Sequence, residues 1–249
     1  EKLLRHIFDE HYEIGLDYLT LLWQKPTQVL PILCLVSTER NTGKTTFLNL
    51  IPRFFNLKHG TILIDDQNIN NINLNSLRKE ISLVSQDVIL FDDTIKSNIL
   101  YGNSSASDKE IVAACKFAAA QDFIEKLPNK YETIIGENGI KLSGGQKQRL
   151  SIARSLLRKP NILVFDEATS ALDSITEEEI TETIRNVSDQ SDRITILIAH
   201  RLSTIMHADR IFVLEKGNIV EQGKHEQLLN EKGLYFAMWR QQIGERFSH

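Results

Sequence analysis

Three short apolar runs, "ILCLV" at residues 32–36, "ILVF" at 162–165 and "ITILIA" at 194–199, constrain this chain more than any other feature. Each is too short for a buried helix and too continuously apolar for a strand with one wet face, so each predicts a strand covered on both sides. Between them, residues 111–123 and 146–157 repeat apolar positions at three and four, the period of amphipathic helices. Strands alternating with helices make a mainly parallel α/β sheet. Near the end, "IFVLEKGNIVEQG" sets Gly217-Asn218 between two alternating runs and predicts a hairpin. The segment "NSSASD" at 103–108 reads as a loop ending in a helix cap.

Composition sets the outer limits. With 249 residues, 41% of them hydrophobic and 25% charged, the chain can bury a full core. A net charge of −4 lacks the basic excess that marks nucleic-acid binding, so no nucleic-acid partner is expected. Cys34 and Cys115 are the only cysteines, too few for a disulfide framework or a C-x-x-C metal site, and a reducing compartment is expected. The longest apolar run, residues 29–36, contains Pro31 and falls far short of the roughly 20 residues that cross a bilayer. No direct membrane span is expected.

"LVSTERNTGKTTFLNLI", residues 35–51, places a strand, a loop and a helix in succession, and its Gly43-Lys44-Thr45 ends the loop as G-K-[ST]. Backbone N–H groups at such a helix start surround phosphates, the lysine reaches the β- and γ-phosphates, and the hydroxyl of Thr45 binds Mg²⁺. Where the motif has its first glycine this chain has Thr38, a β-branched residue strained at positive φ, while Asn41 tolerates that conformation. Further on, four apolar residues precede Asp166-Glu167 and hold two carboxylates at a strand's C-terminal end, where open α/β sheets bind ligands. Ser143-Gly144-Gly145 opens a helix, and its hydroxyl and free N–H groups make an anion site.

Taken together, "LSGGQKQRLSIARSLL" at 142–157, "NILVFDEATSALD" at 161–173 and "ILIAHR" at 196–201 resemble the ATP-binding domain of ABC transporters, over about residues 47–243. The resemblance implies a P-loop NTPase with a mainly parallel central sheet flanked by helices and a helical subdomain carrying the signature. It implies one domain over 1–249, with an atypical segment at 1–46, the ATPase core at 47–86 and 158–249, and the signature subdomain at 87–157. ATP would be held by Asn41, Thr42, Gly43, Lys44, Thr45, Thr46, Gln86, Ser143, Gly144, Gly145, Gln146 and Asp173. Thr45, Gln86 and Asp166 would hold Mg²⁺, and Glu167, His200 and Lys44 would be catalytic. In this family two such domains pack head to tail, the signature of one closing over the ATP of the other. Gln86 stands 42 residues after Lys44, a family spacing, and Glu137 matches the acidic turn that faces transmembrane coupling helices in exporters. Residues 201–229 look like the exporter and peptide or protein secretion branch. The chain is thus expected to drive export through a transmembrane partner, held peripherally on the cytoplasmic side of the cell membrane.

Residues 14–47 depart from that pattern. They start with Ile14, Leu16, Leu19, Leu22 and Trp23 at helical spacing, break at Pro26, and are more similar to the P-loop region of phage and plasmid superfamily 3 type primase-helicases. The chain therefore reads as composite, and Tyr12, 32 residues before Lys44, stands near the place of the family's adenine-stacking aromatic but in a helical context that makes the spacing a coincidence. Two other functions stay open on the residues: an ATP-dependent helicase or primase fragment, and a module that binds nucleotide without hydrolysis. LSGGQ and the absence of a basic stripe speak for the exporter motor. Thr38 and Glu39 predict weak, base-tolerant nucleotide binding.

Overall fold

In the computed structural model, residues 33–36, 44–57, 60–169, 174–189, 193–198, 201–215 and 218–246 are described. The chain forms two compact units: one takes the sequence up to Arg78 and again from Ile194, and the other spans Lys79–Arg193.

In the first unit, β1 (Leu33–Val36) is followed by α1 (Lys44–Leu50). β1 pairs in parallel with β6 (Ile194–Ile198), Leu33 opposite Ile196, and with β7 (Arg210–Glu215), Val36 opposite Val213. β8 (Asn218–Gly223) runs antiparallel to β7 as the predicted hairpin, with a register shift between Val213 and Leu214. The strand order is β6-β1-β7-β8. Ile211, Phe212, Val213 and Leu214 are all buried, as strands covered on both faces require. β2 (Leu63–Ile64) and β3 (Gln67–Asn68) form a small hairpin whose turn residues, Asp65 and Asp66, both take positive φ, the conformation of a type I′ turn. After α1, Arg53 also takes positive φ and ends the helical turn; its guanidinium donates to the carbonyls of Ile69 and Ile72. Arg78, on α2 (Leu74–Glu80), donates to the carbonyls of Pro52 and Arg53.

The end of the chain folds as α8 (His225–Glu231) and α9 (Leu234–Arg246). Glu221 of β8 accepts hydrogen bonds from the backbone N–H groups of Leu234 and Tyr235, which have no acceptor within their own helix. Buried His225 shares a 2.8 Å hydrogen bond with the Tyr235 hydroxyl and packs edge-on against Trp239.

In the second unit, β4 (Ile81–Val84) pairs in parallel with β5 (Ile162–Asp166), every residue of which is buried. α3 (Ile95–Leu100) is capped by Thr94, and α4 (Asp108–Phe117) by a reciprocal box between Ser107 and Glu110. α5 (Gln121–Glu125), α6 (Gly144–Leu157) and α7 (Ser174–Asp189) complete it. The helix expected over 111–123 is in fact two. Ala119 takes a φ of 50°, the Ala120 N–H bonds the Cys115 carbonyl, and the Ala119 N–H bonds that of Lys116. This is the Schellman pattern that usually carries glycine at the left-handed position. An alanine there leaves the apolar periodicity intact, so sequence spacing runs straight through the break.

Candidate functional site

α6 shows how the signature motif is built. Ser143, in an extended conformation, accepts the Gln146 N–H at 3.3 Å on its hydroxyl, and Gln146 Oε1 accepts the Ser143 N–H at 3.0 Å. Each cap satisfies the other, which fixes the start of the helix. The Gly144 and Gly145 N–H groups, which the helix itself cannot satisfy, stay at the positive end of its dipole beside the exposed Ser143. Gly145 has a further role that the sequence does not reveal. A Cβ there would lie 2.1 Å from Thr176 Cγ2, so the glycine lets α6 approach the start of α7. Arg149 also forms an ion pair with Glu179 of α7, so the signature helix is tied to the helix that directly follows Asp173.

Asp166 is the last residue of buried β5 and is itself only 8% exposed. Glu167 follows with φ 49°, a left-handed conformation that costs a non-glycine residue about 1–3 kcal/mol. The strand thus ends in a sharp, strained turn at the second carboxylate. Gln86 lies just beyond β4 and is exposed.

Arg154 is the residue that sequence reasoning missed. From α6 its Nε donates to the Asn98 carbonyl at 2.8 Å, Nη1 to the Ile89 carbonyl at 2.9 Å and Nη2 to Asn98 Oδ1 at 3.0 Å. Its guanidinium also lies 5.9 Å from the centre of the Phe91 ring, and burial works against its charge. Fully buried Asn98 completes the knot, exchanging hydrogen bonds with the N–H and carbonyl of Phe91 and donating to the Thr94 carbonyl. Gly102 closes it from the other side, since a Cβ there would meet the Arg154 carbonyl oxygen at 2.2 Å. The stretch that begins just after Gln86 is thereby fastened to the signature helix. An arginine amid the small and apolar residues of "LSIARSLL" was the available signal.

Over this knot lies an exposed apolar patch. Phe91 and Tyr101 stack with ring centres 4.3 Å apart, and Ile89, Ile134 and Ile140 are exposed, the last at 79%. The two stretches of the patch meet through an N–H···O bond from Ile135 to Asp93 and a bridge between Thr94 and Ile134. Glu137 sits beside it on a short helical turn in which Gly136, Asn138 and Gly139 all have positive φ.

The first unit places Lys44, Thr45 and Thr46 on the first turn of α1. Asn41, Thr42, Gly43, Asp173 and His200 lie outside the described residues, as do Tyr12 and Thr38. Among the described residues no three of His, Cys, Asp or Glu gather as a metal cluster. Buried Asp166, a hard oxygen donor, fits Mg²⁺, which takes one or two carboxylates and completes its shell with water and phosphate oxygens.

Comparison with known proteins agrees with these features. The family profile "ABC transporter" matches residues 40–170, more than half of the chain. An ATP-dependent lipid A-core flippase of Syntrophus aciditrophicus (strain SB) is 52% identical over 203 residues, 82% of this chain and 33% of the flippase. A candidate multidrug export ATP-binding/permease protein of Staphylococcus aureus (strain NCTC 8325 / PS 47) is 55% identical over 193 residues, 78% of this chain and 33% of its own. Among solved structures, a bacterial Atm1-family ABC exporter with ATP bound superposes with a TM-score of 0.79 at 50% identity, covering 85% of this chain and 36% of the exporter. The chain therefore spans about a third of the length of these relatives. The primase-helicase likeness of residues 14–47 finds no support among the relatives named here, whereas the expected P-loop NTPase fold does. With its signature helix, its strand-end carboxylates and a match over most of its length to export proteins, this chain belongs to the ABC transporter family.

Proposed function

We propose that the chain is the ATP-hydrolysing motor of an ABC exporter, working as a head-to-tail pair on the cytoplasmic side of the cell membrane through a transmembrane partner. The observation that carries this reading is the start of α6. A serine capped by its own glutamine, beside two N–H groups without helical acceptors, suits a phosphate brought by another chain. Asn41, Thr42, Gly43, Lys44, Thr45 and Thr46 cradle the phosphates of one chain's ATP. Ser143, Gly144, Gly145 and Gln146 of the second chain close over it, with Asp173 linking the two sites. Thr45, Gln86 and Asp166 hold Mg²⁺, which when bound neutralises phosphate charge. Glu167 accepts a hydrogen bond from the attacking water and draws off its proton as the water oxygen bonds to the γ-phosphorus and ADP leaves. His200 contacts the γ-phosphate and steadies it.

The exposed patch of Ile89, Phe91, Tyr101, Ile134 and Ile140 suits the transmembrane partner. Large side chains left in water on a rigid support are the mark of an interaction surface, and Glu137 gives it a charged rim. Among the described residues no helix is long and apolar enough to cross a membrane. The export relatives and the ATP in the Atm1-family structure support both halves of the proposal.

Complementation tests it. A Ser143→Arg chain loses the signature side of each site and a Lys44→Ala chain loses the P-loop side, so each alone is inactive as a pair. Mixed, they form one intact composite site, and ATPase activity returns. If the mixture stays dead where the wild-type chain is active and dimeric, sites shared between chains are refuted.

A further inference from the structure

The second unit contains a cavity of about 380 Å³, away from the signature residues, between α4, the end of α6 and α7. Its volume falls at the small end of the roughly 300–1,000 Å³ that ligand sites occupy. Ala113, Phe117, Leu156 and Val187 give it an apolar wall, and Phe117 remains half exposed at its edge.

Three charged side chains also line it, and they do not cancel. Lys159 and Glu110 bond to each other at 2.6 Å. Lys159, with help from Ser107, holds the Glu110 carboxyl at about 2, so the pair is fully ionised and neutral as a unit. Arg193 is left over. It is half-buried, burial alone acts on its charge, and among the described residues no carboxylate is paired with it. A guanidinium partly removed from water against an apolar wall is costly until an anion meets it.

We propose that this cavity binds a small amphiphile with one anionic head, its apolar body against Phe117, Leu156 and Val187 and its head on Arg193. The head can be a carboxylate, a sulfate monoester or a phosphodiester, each a monoanion whose oxygens accept from the arginine fork. A neutral ligand leaves Arg193 unmatched, and a dianion finds only one net positive charge. The proposal is independent of the ATPase reading, since none of the residues it uses serves the nucleotide.

Decanoate and decanol are the probes, titrated calorimetrically into the full chain below the micellar concentration of the acid. Decanoate binds one per chain, and decanol binds at least about tenfold more weakly, the loss of one charge-assisted hydrogen bond. Arg193→Gln weakens decanoate about tenfold and leaves decanol unchanged, and Arg193→Lys restores part of the difference. Exposed Ala113→Trp fills the cavity and abolishes both without lowering the melting temperature. Absence of saturable decanoate binding overturns the site, as does binding that survives both Arg193→Gln and Ala113→Trp. Equal affinity for acid and alcohol overturns the anionic head.

Discussion

Replacing Arg154 by methionine keeps the length of the side chain and removes the donors that tie α6 to the stretch after Gln86. The three lost hydrogen bonds do not cost the same. Ile89 is exposed, so water takes over its carbonyl, and Asn98 Oδ1 keeps the Phe91 N–H. The Asn98 carbonyl is different. It belongs to the last turn of α3, where no intrahelical donor remains, the Gly102 N–H bonds Ile99 instead, and the residue is fully buried. Leaving that oxygen without a donor costs about 1–3 kcal/mol, partly offset by no longer desolvating the guanidinium. We expect a net loss of about 2 kcal/mol for Arg154→Met and roughly half that for Arg154→Lys, which can still reach one acceptor. With a urea slope of about 2–3 kcal/mol/M, the midpoint followed by far-ultraviolet circular dichroism falls by roughly 0.7–1 M. Because Asn98 and Arg154 share bonds, Asn98→Ala combined with Arg154→Met should cost clearly less than the two singles added. A loss below about 0.5 kcal/mol, the range of a neutral surface change, would refute this account of the knot.

Three further outcomes follow from the packing. Gly145→Ala drives a methyl into Thr176 and should destabilise by about 1–3 kcal/mol; since the clashing atom is Thr176 Cγ2, adding Thr176→Ser should recover most of it, and failure of that rescue in thermal melts would place the strain elsewhere. His225 is held below its ordinary value of 6.5, first by burial and then by His207, against an opposing pull from Glu226. Its contribution is therefore complete above about pH 6.5 and is lost as the pH falls below it, so melting temperature should drop between pH 7 and 5, and His225→Phe should flatten that slope. An unchanged slope in the variant would assign the acid sensitivity to other groups. Burial pushes the Cys115 thiol up to about 12, so iodoacetamide at pH 8 should leave Cys115 intact in the native chain and label it in urea; rapid native labelling, read by peptide mass, would contradict its burial.

The parts of this fold that follow from local chemistry could be read in advance. The runs at 162–165 and 194–198 are strands because they are apolar but for Thr195, which is itself buried, and Ser143 caps α6 because its hydroxyl and the Gln146 amide answer each other. What escaped the sequence is set by distant neighbours or by residues in unexpected backbone conformations. Ala119 and Glu167 are left-handed without the glycine that would announce it. Gly145 looks like a donor to an anion, and only the arrival of Thr176, thirty-one positions later, makes it a packing residue as well. Arg154 reads as one more exposed cation on a helix until Ile89, Phe91 and Asn98 gather around it. The same holds for the cavity beside Arg193, whose walls come from three separated stretches.

The central claim is that this chain hydrolyses ATP with Glu167 as the group that polarises water. The most direct measurement pairs Mg-ATP turnover with nucleotide titration on the wild-type chain and on Glu167→Gln. Glutamine keeps the shape of the site and loses the base, so turnover should fall by at least about 10²-fold, while ATP affinity stays within a few-fold of wild type. An equal collapse of binding and turnover would make Glu167 a structural residue at a strained strand end. Wild-type turnover in Glu167→Gln, or a wild-type chain that binds ATP and never turns it over, would contradict the claim outright.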